Sequence, residues 1–210
     1  MATTSMMGEQ RVIIDNVRWS TYLALLEDAE TRRGRITYDQ GVLEIMSPSM
    51  SHENLGRLIG RMVEAFTEER GIEIVSVASM TVKLEALQRG FEADEAYYIA
   101  QSDQVRGKEE LDFAIDPAPD LVIEIDISRS SLNKLPVFAA FRIPEYWQYR
   151  GDTLRVYCLE GREYREAAES RVLRQFPLDE MRHVLAQRAA AGETELIRRF
   201  RNWVREHPLA

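Results

Sequence analysis

Residues 118–134 read A-P-D-L-V-I-E-I-D-I-S-R-S-S-L-N-K and hold the densest chemistry in the chain. Leu121, Ile123, Ile125 and Ile127 alternate with Asp120, Val122, Glu124 and Asp126, the period of two of a β-strand. One face is aliphatic and the other carries carboxylates. Glu124 and Asp126 lie roughly 6–7 Å apart along such a strand. Like charges at that spacing repel, and burial would also strip their hydration. A bound divalent cation relieves both effects. A strand face washed by solvent is the other reading, because adjacent carboxylates cost little in water.

The elements that must position these groups come from a chain of 210 residues, 45% hydrophobic and 30% charged, with a net charge of −8. That length suits one globular domain with a sizeable core. No apolar run approaches the ~20 residues that span a bilayer, and no basic segment followed by an apolar stretch marks a secretory signal. A cytoplasmic protein without a membrane partner is expected. The single cysteine, Cys158, excludes an internal disulfide and a cysteine-rich zinc site. The acidic balance argues against a non-specific grip on nucleic acid. Local basic patches remain, at Arg57 with Arg61 and at Arg198, Arg199, Arg201 and Arg205, where solvated helix faces are the plainer reading.

Hydrophobic periodicity predicts a short helix over 19–28 with Trp19, Tyr22, Leu23 and Leu26 inward, then a hairpin of 36–38 and 42–46 turning at Gly41. After Ser47-Pro48-Ser49, Ser51 is the expected N-cap of a helix over 51–70. Its Leu55, Leu58, Ile59, Met62, Val63 and Phe66 follow the i, i+3, i+4, i+7 rule. Gly56 and Gly60 offer close approach to a neighbour, and Gly71 is the expected stop. His52 projects from the first turn, either as a capping or core histidine or into a cleft.

Strands are predicted at 73–84, 91–99 and 120–127, with a polar loop at 101–111 and a turn at 128–131. A helix at 132–142 buries Leu132, Leu135, Phe138 and Ala139. Pro136 is tolerated only in its first turn, which places Lys134 at the helix start. A hairpin at 145–149 and 153–159, turning at Gly151-Asp152, and helices at 179–191 and 193–205 complete the chain. The last of these puts Leu196, Ile197, Phe200, Trp203 and Val204 on one face.

The order helix, strand, strand, strand, helix, strand brings Asp94 on the second strand beside Glu124 and Asp126 on the third, next to Lys134. Carboxylates from two neighbouring strands make an oxygen-rich site suited to Mg²⁺ or Mn²⁺. A lysine there orients an attacking water or neutralises a phosphate. Such a site favours phosphodiester hydrolysis.

Four segments, G-V-L-E-I-M-S-P-S-M-S-H-E (41–53), A-D-E-A-Y-Y-I (93–99), P-D-L-V-I-E-I-D-I-S (119–128) and I-P-E-Y-W (143–147), resemble the Uma-two family of restriction-endonuclease-like proteins. That family lies within the PD-(D/E)XK nuclease superfamily, and the match runs from about Trp19 to Tyr157 and continues weakly into the tail. The resemblance implies an α/β fold of the mixed-sheet α+β kind, with a restriction-endonuclease-like core over 1–160 that includes the N-terminal helix and hairpin. A C-terminal strand and helical extension, 161–210, is expected to pack on the same domain. It also implies that the 51–70 helix covers one face of the sheet.

Carried over by residue, the resemblance makes Asp94 the first metal carboxylate and Glu124 the acid of the second motif. Asp126 is a further ligand and stands where the superfamily usually has its lysine. Lys134 is the lysine that takes over from the following helix. Glu44 and His52 line the cleft. Asp120 lies roughly 13 Å from Glu124 by strand rise and is read as a strand-start residue. The function implied is an endonuclease hydrolysing DNA with Mg²⁺ or Mn²⁺, in which a homodimer would gather basic surface around the groove. The Asp126 departure and the acidic charge favour a second reading, a catalytically degenerate nuclease fold acting as a nucleic-acid-binding or regulatory module.

Overall fold

The computed structural model describes residues 9–27, 34–127 and 132–208. The predicted turn at 128–131 and the end of the predicted 19–28 helix lie outside the described residues. The chain opens with a strand that the sequence reading missed, β1 (Gln10–Ile14), followed by α1 (Trp19–Glu27) and the hairpin β2 (Arg35–Asp39) and β3 (Val42–Ser47). Gln40 (φ 48°) and Gly41 (φ 102°) both take positive φ in the hairpin turn, the backbone twist that two-residue hairpin loops require. Trp19 and Tyr22 of α1 close over Ile36, Tyr38 and Leu43.

Helix α2 (Met50–Arg70) begins one residue earlier than expected. Its cap is Ser49, not Ser51: the Ser49 hydroxyl accepts the His52 backbone N–H at 3.2 Å, satisfying one of the first-turn donors. This register leaves Ser51 exposed and turns His52 fully inward. Gly71 stops the helix in the left-handed conformation, φ 62°. At Gly60 the helix crosses the sheet closely, because a Cβ there would lie 2.8 Å from the Tyr97 hydroxyl.

The predicted strand at 73–84 is two strands, β4 (Val75–Ser76) and β5 (Thr81–Leu84), separated by Ser79 at φ 57°. The predicted strand at 91–99 also divides, into β6 (Arg89–Glu92) and β7 (Glu95–Tyr98). The cause in both cases is a change of sheet. β1, β3, β2, β6 and β5 form one antiparallel sheet in that order, and β4 and β7 belong to another. Asp94 sits at the second crossing, and its carboxylate accepts the Ile125 N–H at 2.7 Å.

A single helical turn, α3 (Ser102–Val105), lies within the stretch expected to be a loop. Then come β8 (Leu121–Asp126), α4 (Leu135–Ala140) with Pro136 in its first turn, β9 (Glu145–Arg150), β10 (Thr153–Glu160) and β11 (Glu163–Ala167), the last within the stretch where a C-terminal strand and helices were expected. Helices α5 (Leu178–Ala186) and α6 (Glu193–Glu206) end the chain, α5 being shorter than predicted. The second sheet runs β11-β10-β9-β8-β7-β4, and only β8 and β9 are parallel, joined across α4.

Helix α2 covers the aliphatic face of β8. Leu55, Ile59, Met62 and Phe66 pack with Ile123, Ile125, Trp147 and Val156, and α5 and α6 complete the same core through Met181, Phe200 and Val204. The other face of β8 carries the carboxylates and looks toward the first sheet and α4, where Val122, Phe91, Phe138 and Tyr146 form a second core. The alternation at 121–126 therefore separates an apolar core from a buried acidic seam between the sheets. The basic patches pair with neighbours: Arg61 with Glu193, Arg198 and Arg199 with Glu195, Arg201 with Glu68 and Glu69.

Candidate active site

All six residues singled out from the sequence are buried at this seam. Glu44 on β3, His52 on α2, Asp94 at the sheet crossing, Glu124 and Asp126 on β8 and Lys134 at the α4 cap are each less than 9% exposed. None of the strand carboxylates is washed by solvent.

Lys134 is the partner of Glu124. Its Nζ donates to Glu124 Oε2 at 2.5 Å, so the ammonium reaches β8 from the next helix. Glu124 Oε1 is buried and accepts no hydrogen bond. Asp94 stands between His52 and Arg35: its Oδ2 is 3.2 Å from His52 Nε2, and its Oδ1 is 3.2 Å from Arg35 Nη1. Arg35 also donates to Glu53. Asp126 accepts from Gln148 Nε2 at 2.6 Å and from Arg11 Nη2 at 3.4 Å. Arg11 in turn donates to Glu44 Oε1 at 3.0 Å, while Glu44 Oε2 accepts no hydrogen bond. Asp120 stays outside the cluster. Its carboxylate accepts the Ile99 and Gln101 N–H groups and the Gln101 side-chain amide, fixing the loop after β7.

Sequence reasoning did not find Arg11, Arg35 or Gln148. Arg11 rides on β1, whose only signal is the short β-branched run Val12-Ile13-Ile14. Arg35 begins a strand that was recognised, but only sheet pairing brings it to Asp94.

Burial is the largest influence on Glu124, Asp94, His52 and Lys134. It pushes the Glu124 carboxyl up to about 7, with the Asp94 and Asp126 charges adding to it and Lys134 pulling against it. At Asp94 burial acts the same way, but the His52 hydrogen bond and the His52, Arg35 and Lys134 charges outweigh it and hold the group below its ordinary value. Burial depresses His52 and Lys134, yet Asp94 raises the first and Glu124 with Asp94 raises the second above their usual values. Lys134 is therefore a standing ammonium, and Glu124 is the group that titrates near neutrality.

This has a consequence for stability. Glu124, and Glu95 on β7, which burial also pushes up to about 7, bind protons in the folded chain that the unfolded chain, at about 4.5, has released. Their contribution is complete below the unfolded value and is lost as pH rises through about 7. His52, also raised, acts with the same sign. Carboxyls held low, such as Glu69 at about 2, act only in more acid solution. In chelator, the denaturant midpoint is expected to fall between about pH 5 and about pH 8, and Glu95→Gln to flatten the slope. A midpoint rising across that range would refute the assignment.

Among the described residues, no three His, Cys, Asp or Glu side chains gather as a ready metal cage. Mg²⁺ does not demand one, since it is commonly held by one or two carboxylates plus water and substrate phosphate. Buried acceptors without a hydrogen bond call for a water or an ion, and Glu124 Oε1, Asp94 Oδ1 and Glu44 Oε2 are such atoms. The donor set, all carboxylate oxygen, fits a hard cation. A cavity of about 310 Å³ opens on Glu124, Asp126 and Lys134 and is walled by Tyr146, Gln148, Arg150 and Tyr157.

The Uma2 family, described as "Putative restriction endonuclease", matches residues 19–181 of the 210. The chain belongs to the Uma2 family. The family resemblance read from the four sequence segments is thus upheld over a longer stretch, and with it a restriction-endonuclease-like nuclease fold. The match takes in all six site residues, whereas β1, with Arg11, precedes it. A crystal structure titled as a putative nuclease belonging to DUF820, from Anabaena variabilis, is 16% identical and has a TM-score of 0.49. The alignment covers 79% of this chain and 90% of that one. No curated protein matches the chain. No helix among the described residues is long and apolar enough to cross a membrane.

Proposed function

We propose that the chain is an endonuclease that hydrolyses DNA phosphodiester bonds with Mg²⁺ or Mn²⁺. The observation that carries this is Glu124, which lines the cavity: one carboxylate oxygen lies on the Lys134 ammonium at 2.5 Å and the other is buried without a hydrogen bond among the described residues. Asp94 and Glu124 would hold the cation, with Asp126 as the outer carboxylate of the set. When bound, the cation supplies a Lewis acid and stabilises charge on the phosphoryl oxygens.

The chain's own residues have distinct tasks. Lys134 stays protonated, so it donates to a phosphoryl oxygen or holds the attacking water and does not remove a proton. Glu124, with one oxygen on Lys134 and the other open to the cation, would orient the attacking water; that water gives its proton to solvent as its oxygen bonds to phosphorus, the bridging P–O bond breaks, and the leaving oxygen takes a proton from solvent. His52 and the Ile125 N–H fix Asp94, and Gln148 with Arg11 fixes Asp126.

The test compares wild type with Glu124→Gln on plasmid, linear, single-stranded and branched DNA with Mg²⁺ or Mn²⁺. Metal-dependent cleavage is expected, reduced at least about 100-fold in the variant, the scale of losing one preorganised electrostatic group of a site. Equal cleavage by both would remove Glu124 from the reaction. The second reading, a degenerate fold that binds nucleic acid or regulates, is favoured by one feature: Asp94, Glu124 and Asp126 each already face a protein cation, Arg35, Lys134 and Arg11. Absence of cleavage on every substrate would select it.

A further inference from the structure

The cavity at the acidic seam has a second wall that the hydrolytic reading leaves unused. Tyr146, Gln148 and Arg150 alternate along β9, and Thr153, Arg155 and Tyr157 along β10, with Tyr146 opposite Tyr157 and Gln148 opposite Arg155. The intervening residues Trp147, Tyr149, Leu154 and Val156 point the other way into the core. One face of this hairpin thus runs from the carboxylates of β8 to a row of aromatic and cationic side chains. Tyr146 and Tyr157 stack, with ring centroids 5.7 Å apart and planes at 20°. Tyr146 is buried while Tyr157 is only half-buried at the cavity wall. Arg150 is exposed, and no ion pair engages it among the described residues. Arg155, also exposed, donates to the Tyr157 hydroxyl, with the Glu166 carboxylate nearby.

A half-exposed ring backed by a second ring, beside an exposed guanidinium such as that of Arg150, is the construction by which proteins hold unpaired nucleotides: bases stack on the aromatic while cations follow the phosphates. Size points the same way. At about 310 Å³ the cavity accommodates a unit of nucleotide size, whereas a duplex presents its phosphates on a rigid rod whose major groove alone is ~12 Å wide. Glu124 is only 2% exposed, so a phosphate meeting it must descend into the cavity, which an unstacked strand can do.

The geometry points to single-stranded DNA as the substrate class, with the base of one nucleotide stacked on Tyr157 and its flanking phosphate held by Arg150, leading the chain to Glu124 and Lys134. This rests on the hydrolytic reading of the seam and adds the strandedness of the substrate and the residue that selects it. A negative global charge is no obstacle, since the cations concerned are local to the cavity wall.

The test is an anisotropy titration of a labelled oligothymidylate and a hairpin duplex of equal length, using the full chain with Glu124→Gln to prevent hydrolysis. The single strand should bind more tightly. Tyr157→Leu, which keeps apolar bulk but removes the π-face, should weaken single-strand binding by about 5- to 150-fold, the range of one base–aromatic stack. Tyr157→Phe should retain binding within about 2-fold. Denaturant midpoints of both variants exclude misfolding as the cause. Equal affinity for the two DNAs, or a Tyr157→Leu variant that is folded and binds the single strand as before, would overturn the inference. Cleavage by the chain without Glu124→Gln separates the two readings. If only duplex is cut and Tyr157→Leu has no effect, this inference fails while the nuclease stands. Tyr157-dependent binding of single strands without any cleavage would leave the single-strand binding wall standing but remove the nuclease, and with it single-stranded DNA as a substrate.

Discussion

Lys134→Met should cost the fold about 3–5 kcal/mol, and adding Glu124→Gln to the same chain should return most of that loss. Both partners are buried, at 8% and 2% exposure, and meet at 2.5 Å. Removing one member of such a pair leaves a dehydrated charge with no counterion, and that penalty exceeds the net worth of the intact pair. Here the stranded carboxylate would also face Asp94 and Asp126, whose charges already push Glu124 upward. The chain has one route of relief. Without the lysine, Glu124 would titrate above about 7 and take up a proton on folding, so the cost of Lys134→Met should shrink as pH falls below that value. Removing both charges together makes relief unnecessary.

Urea midpoints for wild type, the two single variants and the double variant form a thermodynamic cycle, and a coupling of at least about 1 kcal/mol is expected for groups in contact. Simple additivity would mean that the two side chains do not meet in the folded protein. Hydrolysis supplies the other half of the experiment. The double variant should be folded and yet should not cleave, which separates the structural role of the ion pair from its chemical one. If it recovered activity along with stability, neither Glu124 nor Lys134 could belong to the reaction.

What could be read in the sequence depended on whether a residue's neighbours were local. The alternation at 121–126 was legible because its two faces meet different surroundings, α2 on one side and the acidic seam on the other. The stripe along α2 was legible for the same reason, and Pro136 fixed where α4 could begin and hence where Lys134 would stand. Asp94 was found as a strand residue, but its position at a change of sheet was not. An extended chain passing from one sheet to the next keeps extended dihedrals and an alternating sequence, so A-D-E-A-Y-Y reads as one strand. Arg11 and Arg35 were missed because long-range pairing brings them to the site: β1 lies against β3, and Arg11 reaches Asp126, 115 positions away. The His52 cap shifted by two residues since Ser49 and Ser51 offer the same hydroxyl. Composition cannot choose between them, whereas burying His52 against Asp94 suits the register that begins at Ser49.

Glu145 is the acid whose importance the sequence hid most completely, and its loss should destabilise the fold on the same scale as Lys134→Met. It stands first on β9, wholly buried, with no lysine or arginine side chain in an ion pair with it among the described residues. Its stabilisation comes from donors. Trp147 Nε1 and Ser170 Oγ both reach Oε1 at 2.6 Å, and the Arg171 and Val172 N–H groups reach Oε2 at 2.7 and 3.2 Å. Three of these donors come from the segment between β11 and α5, so the carboxylate ties the C-terminal helices to the central sheet. Glu145→Ala would orphan these donors, of which Trp147 Nε1 and Ser170 Oγ are buried and the Arg171 and Val172 N–H groups partly so, at about 1–3 kcal/mol for each buried donor left unsatisfied, with incomplete additivity. A loss of about 4 kcal/mol or more is expected. Glu145→Gln should lie between, since its carbonyl can serve one set of donors while its amide opposes the other. Denaturant unfolding gives the magnitude, and limited proteolysis near Ser170 gives the location, because the untied segment should open before the sheet does. The effect should reach the active site as well: β9 carries Gln148 to Asp126 and Arg150 to the cavity, and both depend on its seat against β8. A Glu145→Ala midpoint within about 0.5 kcal/mol of wild type would show that the C-terminal helices are held by apolar packing alone.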